Sequence, residues 1–246
     1  MAKGLLMASF DFTDAYQDEF HDWYDLEHIP ERQAVTGFGS CERWIGVENS
    51  KQAIATYDLD AIEVLKGRDY NAIAYDNLSP WSKRVTGKCK RILRFEGTQI
   101  LPGEEPAPDK AGGLLMVAIN VANENENDFN SWYTEEHIPA ILTVPGVLSA
   151  RRYKSNEGTH RYVAIYHLTE PDVTKTDDWS TAIDTPWSSR IRSHFQDRIR
   201  ILAKKYERAI LFSDESLIAG NGALVDSNSI NRSSIANGKK CGTKVS

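Results

Sequence analysis

The strongest constraint on the fold is a long repeat within the chain. Residues 20–30, FHDWYDLEHIP, return at 129–139 as FNSWYTEEHIP, an offset of 109 residues. Pro80-Trp81-Ser82 returns as Pro186-Trp187-Ser188 at offset 106, which implies a deletion of three residues in the second copy. This repeat is much longer than the roughly 20–50 residues of a solenoid unit. Each copy is therefore predicted to be a small domain, and the chain to be a tandem duplication.

Composition narrows the class of protein. The chain has 246 residues, of which 41% are hydrophobic, and a formal net charge of −6. Such a charge predicts no nucleic-acid partner and no binding to an anionic membrane. Cys41, Cys89 and Cys241 form no Cys-x-x-Cys pair, so we expect reduced thiols in a cytoplasmic protein rather than disulfides or a zinc site.

Periodicity and punctuation predict the same order of elements in both copies. In the first copy the predicted elements are strands over 4–11, 37–47, 53–59 and 89–97 and helices over 15–29 and 60–77. In the second copy they are strands over 113–121, 146–153, 161–168 and 199–207 and helices over 124–138 and 178–194. Each first helix is expected to end near Ile29 or Ile138, because the next residue is a proline.

The order β-α-β-β-α-β is that of a ferredoxin-like domain. The sequence thus predicts an α+β fold of two tandem ferredoxin-like domains, whose antiparallel sheets pair into an α+β barrel pseudo-dimer with a ligand cavity between them. The predicted boundaries are a first domain over 1–98, a linker over 99–112, a second domain over 113–212 and a disordered tail over 213–246.

The repeated segment places a carboxylate on an apolar helix face. At 100° per residue, Glu27 falls on one stripe with Tyr16, Phe20 and Trp23, and Glu136 repeats the arrangement. Burial of an unpaired carboxylate is costly, so this group is either paired or poised for proton transfer. In the paired alternative, Glu27 bonds Arg43, and Glu136 bonds Arg152, on the following strand.

A histidine follows each glutamate. His28 and His137 each lie one turn after a tyrosine, Tyr24 or Tyr133, at the expected C-terminus of the helix, where partial negative charge favours imidazolium. An ordinary histidine pKa near 6.5 suits a general base or acid, although a bond to a carbonyl is the structural alternative. Neighbouring Glu27 and His28 point about 100° apart, so no metal site is expected.

Trp-Tyr-x-x-Glu-His-Ile-Pro, followed by Gly-Phe or Gly-Val and a strand that bears an arginine, resembles the dimeric α+β barrel superfamily, close to EthD-like domains. The resemblance covers residues 4–98 and 113–210. Relatives include polyketide cyclases, muconolactone isomerases, cofactor-free monooxygenases, haem-dependent enzymes and proteins without established activity. The resemblance implies a cavity-lining histidine as the catalytic group, which would be His28 or His137 here.

We therefore expect a cofactor-independent enzyme that performs acid–base chemistry, as a lyase, isomerase or cyclase, on a small aromatic or apolar carbonyl compound. The alternatives are a cofactor-free monooxygenase of phenolic or polyketide substrates and a non-catalytic ligand-binding or stress-response protein. The expected assembly is a homodimer of pseudo-dimers. The predicted catalytic residues are His28, Glu27, Tyr24, His137 and Glu136. The predicted substrate-binding residues are Trp23, Arg43, Tyr57, Trp81, Trp132, Tyr133 and Arg152.

The two copies differ near the motif. His21 and Glu31 of the first copy correspond to Asn130 and Ala140 of the second. This difference favours the first copy as the active one.

Overall fold

The computed structural model describes residues 3–155 and 157–208. The tail predicted over 213–246, with Cys241, lies outside the described residues. The element order β-α-β-β-α-β occurs twice, as the sequence predicted. The strands are β1 Gly4–Asp11, β2 Phe38–Gly46, β3 Gln52–Leu59, β4 Lys90–Leu101, β5 Gly113–Val121, β6 Val147–Lys154, β7 Tyr162–Leu168 and β8 Phe195–Lys205.

All eight strands form one closed antiparallel barrel in the order β1-β3-β2-β8-β5-β7-β6-β4. Each half contributes four adjacent strands, and two short ladders join the halves at their edges. The first ladder pairs β2 with β8 around Ile45 and Lys204, and the second pairs β4 with β6 around Gln99 and Tyr153. Each half thus covers the edges that the other would leave unpaired.

Strand β4 is longer than expected and runs to Leu101. The linker predicted over 99–112 therefore begins inside a strand that is hydrogen-bonded to β6.

The helices depart most from the sequence prediction. They are α1 Gln17–Trp23, α2 Ile29–Gln33, α3 Arg68–Asn71, α4 Pro80–Thr86, α5 Glu126–Ser131, α6 Ile138–Ile141, α7 Asp177–Ile183 and α8 Pro186–Arg192. The single helix predicted over 60–77 is wrong, because that region holds only the short α3 between 3-10 turns, and α4 begins at Pro80.

The expectation that the first helix stops before its proline is also wrong. A wide π-type turn over Tyr24–His28 connects α1 to α2, and the amide of Ile29 donates to the carbonyl of Tyr24 five residues earlier. Proline lacks the N–H of a regular turn and clashes with the carbonyl four residues before it, so a wider turn lets the helix continue through Pro30. The same turn occurs over Trp132–His137 before Pro139.

Alternating strand residues form three hydrophobic cores. Leu5 and Met7 of β1 point into the barrel, whereas Leu6 between them faces the helices of its own half. The interior core contains residues of both halves, among them Trp44, Phe95, Leu114, Met116, Tyr153 and Ile165. Among the described residues, packed side chains of both halves occupy the barrel interior, where the sequence predicted a ligand cavity.

Candidate functional site

Each half instead contains a cavity between the outer face of its sheet and its helices. The first cavity has a volume of about 270 Å³, and its walls include Leu6, Ala8, Trp23, His28, Tyr57 and Tyr70. The second cavity has a volume of about 80 Å³, and its walls include Leu115, Val117, Trp132, His137, Tyr166 and Trp179. An apolar cavity of about 150 Å³ holds one benzene ring in another protein. The first cavity is therefore large enough for a substituted ring, whereas the second is not.

His28 enters the first cavity from the π-type turn. Its ring packs against Trp23 with centroids 4.4 Å apart, and edge-on against Tyr24 at 5.3 Å. Tyr57 of β3 faces it, with ring centroids 6.3 Å apart. Within the described part of the chain, the buried Nδ1 of His28 and the buried hydroxyl of Tyr57 have no hydrogen-bond partner. A buried polar group without a partner costs about 1–3 kcal/mol, which suits groups that bind a ligand.

In the second half, the corresponding histidine and tyrosine are hydrogen-bonded to each other. Nε2 of His137 lies 3.1 Å from the hydroxyl of Tyr166. The His137 ring also stacks on Trp132, with centroids 4.2 Å apart. The hydroxyl of Tyr166 is therefore hydrogen-bonded to His137, whereas the corresponding hydroxyl of Tyr57 has no partner among the described residues.

The cavities differ in size because the side chains around them differ. Two alanines of the first cavity, Ala8 and Ala74, correspond to Val117 and Ile183 at offset 109. The first half also contains three additional residues between Ala74 and Ser79. The helix α3 ends at Asn71, before these residues, whereas the corresponding α7 continues to Ile183. Bulkier side chains and a continuous helix thus reduce the second cavity.

We expect Ala74→Ile to close the first cavity as Ile183 helps to close the second. The added side chain should weaken binding of a small aromatic compound by about tenfold or more, because overpacking a closed wall costs about 1–3 kcal/mol. Quenching of tryptophan fluorescence by an aromatic ligand measures the affinity, and Ala72→Ile on the same segment is the matched control. Equal affinities for both variants and the parent would place the ligand elsewhere.

Burial keeps both cavity histidines neutral. Desolvation is the main cause that lowers the pKa of His28 well below its usual 6.5, and the positive charges of Arg32 and Arg43 lower it further. Desolvation, followed by Arg192 and Arg152, lowers the pKa of His137 to about 3. The expected stabilisation of imidazolium by a helix C-terminus is wrong, because each helix continues beyond its histidine. Desolvation also raises the pKa of Tyr57 well above 10, so its hydroxyl remains a donor at neutral pH.

These histidines predict a loss of stability in acid. Two further histidines have lowered pKa values. Burial lowers the pKa of His21 to about 4, and it lowers the pKa of His167 well below 6.5. Between pH 6.5 and about 4 the unfolded chain binds more protons than the folded chain, so the free energy of unfolding falls as pH falls. One fully neutral buried histidine contributes up to about 1.4 kcal/mol per pH unit in this window. Urea unfolding at pH 7.5 and 5 should show the decrease, and His137→Gln should reduce it. A pH-independent midpoint would contradict burial of neutral imidazoles.

The two repeated glutamates connect helices and do not line either cavity. Glu27 Oε1 accepts from the hydroxyls of Ser79 at 2.5 Å and Ser82 at 3.1 Å. Ser82 in turn accepts from the indole of Trp23 at 2.9 Å. In the second half, Glu136 accepts from Thr185 at 2.6 Å. Each glutamate therefore ties the repeated segment to the start of α4 or α8.

The expected pairing of Glu27 with Arg43 is wrong. Arg43 donates to Asp25 at 2.5 Å and lies 2.7 Å from Nδ1 of His21. Its guanidinium also lies over the ring of Tyr24, 4.4 Å from the centroid. The carboxylate of Glu27 instead accepts the hydrogen bonds of Ser79 and Ser82.

The expected pair between Glu136 and Arg152 is wrong as well. Arg152 donates to Asn130 at 2.9 Å and covers the ring of Tyr133 at 3.8 Å. Both arginines therefore pack on tyrosine rings, Arg43 on Tyr24 and Arg152 on Tyr133 in the wall of the second cavity.

Half of the predicted site residues meet at the cavities. Trp23, His28 and Tyr57 line the first cavity, and Trp132, Tyr133 and His137 line the second. Tyr24, Arg43 and Arg152 lie behind these walls, and Trp81 packs at the edge of the first hydrophobic core. Sequence reasoning missed most of the wall of the first cavity, including Arg32, Tyr70, Ala74, Tyr75 and Arg94. Differences between the two copies could have indicated two of these residues. Arg32 corresponds to Ile141, and Tyr75 lies where the first copy has additional residues.

No metal site or membrane span is found in the described part of the chain. No group of three or more histidine, cysteine, aspartate or glutamate side chains there could hold a metal ion. None of the described helices is long and apolar enough to cross a membrane.

Comparisons with known proteins identify the fold. Residues 113–208 match the family model of a domain of unknown function, DUF4286. No curated protein matches the chain. Among solved structures, an anthrone oxidase-like protein is similar, with a TM-score of 0.55 and 11% identity over 84% of this chain and 92% of the other.

Two further structures have the same fold. A protein from Lactobacillus acidophilus NCFM that is proposed to be a monooxygenase gives a TM-score of 0.53 and 8% identity, over 83% of this chain and 94% of the other. A chlorite dismutase variant from Candidatus Nitrospira defluvii gives 0.54 and 10%, over 83% and 91%. At such identities the likeness shows a shared α+β barrel fold. It supports no conclusion about activity.

Proposed function

We propose that the first cavity is the active site of a cofactor-independent enzyme that moves a proton next to the carbonyl group of a small aromatic or apolar compound. The reaction type is that of a lyase, isomerase or cyclase. One observation carries this proposal. A neutral histidine and a protonated tyrosine, each with an unbonded polar atom, face one ring-sized cavity.

In the proposed reaction His28 is the base. Its neutral imidazole accepts the proton of the carbon next to the carbonyl, and the two electrons of that C–H bond form an enolate. The enolate's negative charge beside the ring raises the pKa of His28 in the complex, which makes proton acceptance favourable there. The imidazolium then returns the proton to a different atom of the same intermediate.

Tyr57 is proposed as the donor to the enolate oxygen, in place of Tyr24, which the sequence predicted as a catalytic residue. Tyr57 lines the cavity, whereas Tyr24 lies behind it. The Tyr57 hydroxyl has no hydrogen-bond partner among the described residues, so it gives up no other bond when it donates to the oxyanion. Such a preorganised donor stabilises the transition state. Trp23 forms the wall, and Glu27 positions it through Ser82.

Deuterium exchange tests this proposal. The full chain is incubated in D₂O with a panel of aryl ketones and aryl keto acids, and NMR follows loss of the α-proton signal. We expect exchange above the buffer rate, and Tyr57→Phe should slow it by about 10²-fold, as for loss of one oxyanion donor. Tyr166→Phe in the second half is the matched control. Equal rates for Tyr57→Phe and the parent would contradict the proposed role.

A cofactor-free monooxygenase is the second candidate, since deprotonation of a phenol or anthrone by His28 in this cavity would also be its first step. The shared fold with an anthrone oxidase-like protein makes the test worthwhile. An oxygen electrode separates the two, because only the monooxygenase consumes oxygen with the substrate. A Soret band in the purified protein would identify haem instead.

We also propose that residues 1–98 and 113–212 descend from one duplicated ferredoxin-like domain, joined by 99–112. The order β4-β1-β3-β2 of the first half and β8-β5-β7-β6 of the second supports this origin. The unpaired thiols of Cys41 and Cys89 agree with the proposed cytoplasmic location. The proposed homodimer of pseudo-dimers can be tested by light scattering.

A further inference from the structure

The first cavity is cationic as well as aromatic. Three arginines line it, Arg32, Arg91 and Arg94, and no acidic side chain is among its described wall residues. Arg32 is 3% exposed, so this guanidinium is almost fully removed from water. A buried arginine needs compensating charge, and the position of its carboxylate partners therefore matters.

Those partners do not line the cavity. Arg32 donates to Glu31 at 2.7 Å and to the carbonyl of Ile73 at 3.2 Å. Arg94 pairs with Glu96 and donates to the hydroxyl of Tyr70 at 3.1 Å. Among the described residues, the carboxylates of Glu31 and Glu96 pair with these arginines, and both lie outside the cavity wall. The described wall itself therefore carries positive side chains and no negative ones, and after desolvation the charge of Arg32 also lowers the pKa of His28.

The second half places a guanidinium in the corresponding region from a different position in the sequence. Arg32 corresponds to Ile141, but Arg192 of α8 lines the second cavity and donates to the carbonyl of Ile183 at 2.6 Å. Its counterpart in the first half is Thr86. Arg198 and Arg200 also line the second cavity, and Arg200 corresponds to Arg94 at offset 106, so arginine side chains border both cavities.

We propose that the first cavity binds the carboxylate of a small aromatic acid, with Arg32 and Arg94 holding the anion. This inference rests on the proposed function and specifies its substrate class, an aryl keto acid whose carbonyl lies between His28 and Tyr57. The planar guanidinium group matches a carboxylate in two parallel hydrogen bonds, a geometry that a neutral amide does not reproduce. Trp23 and Tyr70 offer the faces against which an aromatic ring packs.

Charge selectivity follows from this arrangement. A carboxylate entering the cavity loses its hydration, and the arginines replace that hydration with charge-assisted hydrogen bonds. A neutral ligand of the same shape makes weaker bonds to the same donors. Binding of the anion should also weaken with ionic strength, because Arg91 at the surface is screened by salt.

Benzoate and benzamide form a matched pair of probes, alike in shape and different in charge. Calorimetric titration of the full chain at pH 7.5 should show benzoate binding about tenfold or more tightly than benzamide, a difference of about 1.4 kcal/mol. Arg32→Met should abolish this preference, whereas Arg192→Met in the second half should keep it. Circular dichroism verifies folding, and Arg94→Gln serves if Arg32→Met does not fold.

Equal affinities of the parent for the two probes, or no benzoate binding in the millimolar range, would overturn the proposal. An equal loss of preference in the Arg32 and Arg192 variants would overturn it too, since the cation would then act only through the fold. Deuterium exchange tests the proposed reaction separately from the proposed anion site. Benzoate preference without exchange of any keto acid rejects the reaction alone, and exchange of neutral ketones without charge preference rejects the anion site alone.

Discussion

Replacing Asp58 with alanine is expected to lower the free energy of unfolding by about 3–5 kcal/mol. Asp58 of β3 accepts a hydrogen bond from Arg151 of β6 at 2.7 Å, which joins the two halves across the barrel. The Arg151 side chain is 1% exposed, and its Nε and Nη2 atoms have no hydrogen-bond partner in the described region. Loss of Asp58 therefore leaves a buried guanidinium without its counter-charge.

Urea unfolding monitored by tryptophan fluorescence measures this effect. Asp60→Ala is the matched control, because Asp60 pairs with Lys3 at 3.0 Å on the surface and such pairs contribute about 0–1 kcal/mol. The double variant Asp58→Leu with Arg151→Met should recover most of the loss, since apolar groups can replace a buried ion pair. A loss below 1 kcal/mol for Asp58→Ala would show that the pair does not hold the halves together.

His28→Ala is expected to slow deuterium exchange of a substrate by about 10²–10⁴-fold, the usual contribution of a positioned general base. His137→Ala should leave the rate unchanged. The two histidines share their sequence surroundings, but His137 faces a cavity of about 80 Å³ and lies 3.1 Å from Tyr166, whereas His28 faces about 270 Å³. The pair of variants thus separates the effect of the cavity from that of the motif.

Benzoate affinity distinguishes chemistry from structure in this experiment. If His28 acts as the base, the alanine variant should still bind benzoate through Arg32 while exchange is lost. If the ring is only structural, binding and exchange should decline together. Equal slowing by His28→Ala and His137→Ala would contradict the assignment of activity to the first half.

The sequence predicted the strands well because their apolar runs are short and bounded by turns. It predicted that the two sheets form a barrel, but it did not predict which edge strands pair. Both faces of the sheet are covered, so a strand such as Tyr162–Leu168 is buried at every position and its pattern does not identify the barrel side. The edge pairing of β2 with β8 and of β4 with β6 depends on contacts that are remote in sequence.

The candidate site was predicted in part for a similar reason. The repeat identified His28 and Trp23, which need only local spacing. A regular helical wheel placed Glu27 on the side of Trp23, and both side chains do hydrogen-bond Ser82, but the wheel did not identify the partners of Glu27. The bonds of Glu27 to Ser79 and Ser82 join distant elements, and no local pattern contains them.

A crystal structure of the full chain with bound benzoate would test the central claim most directly. We expect density in the first cavity, with the carboxylate at Arg32 and the ring against Trp23, and no ligand in the second cavity. A ligand inside the barrel, or in the second cavity with the first one empty, would contradict the assignment of the active site to the first half.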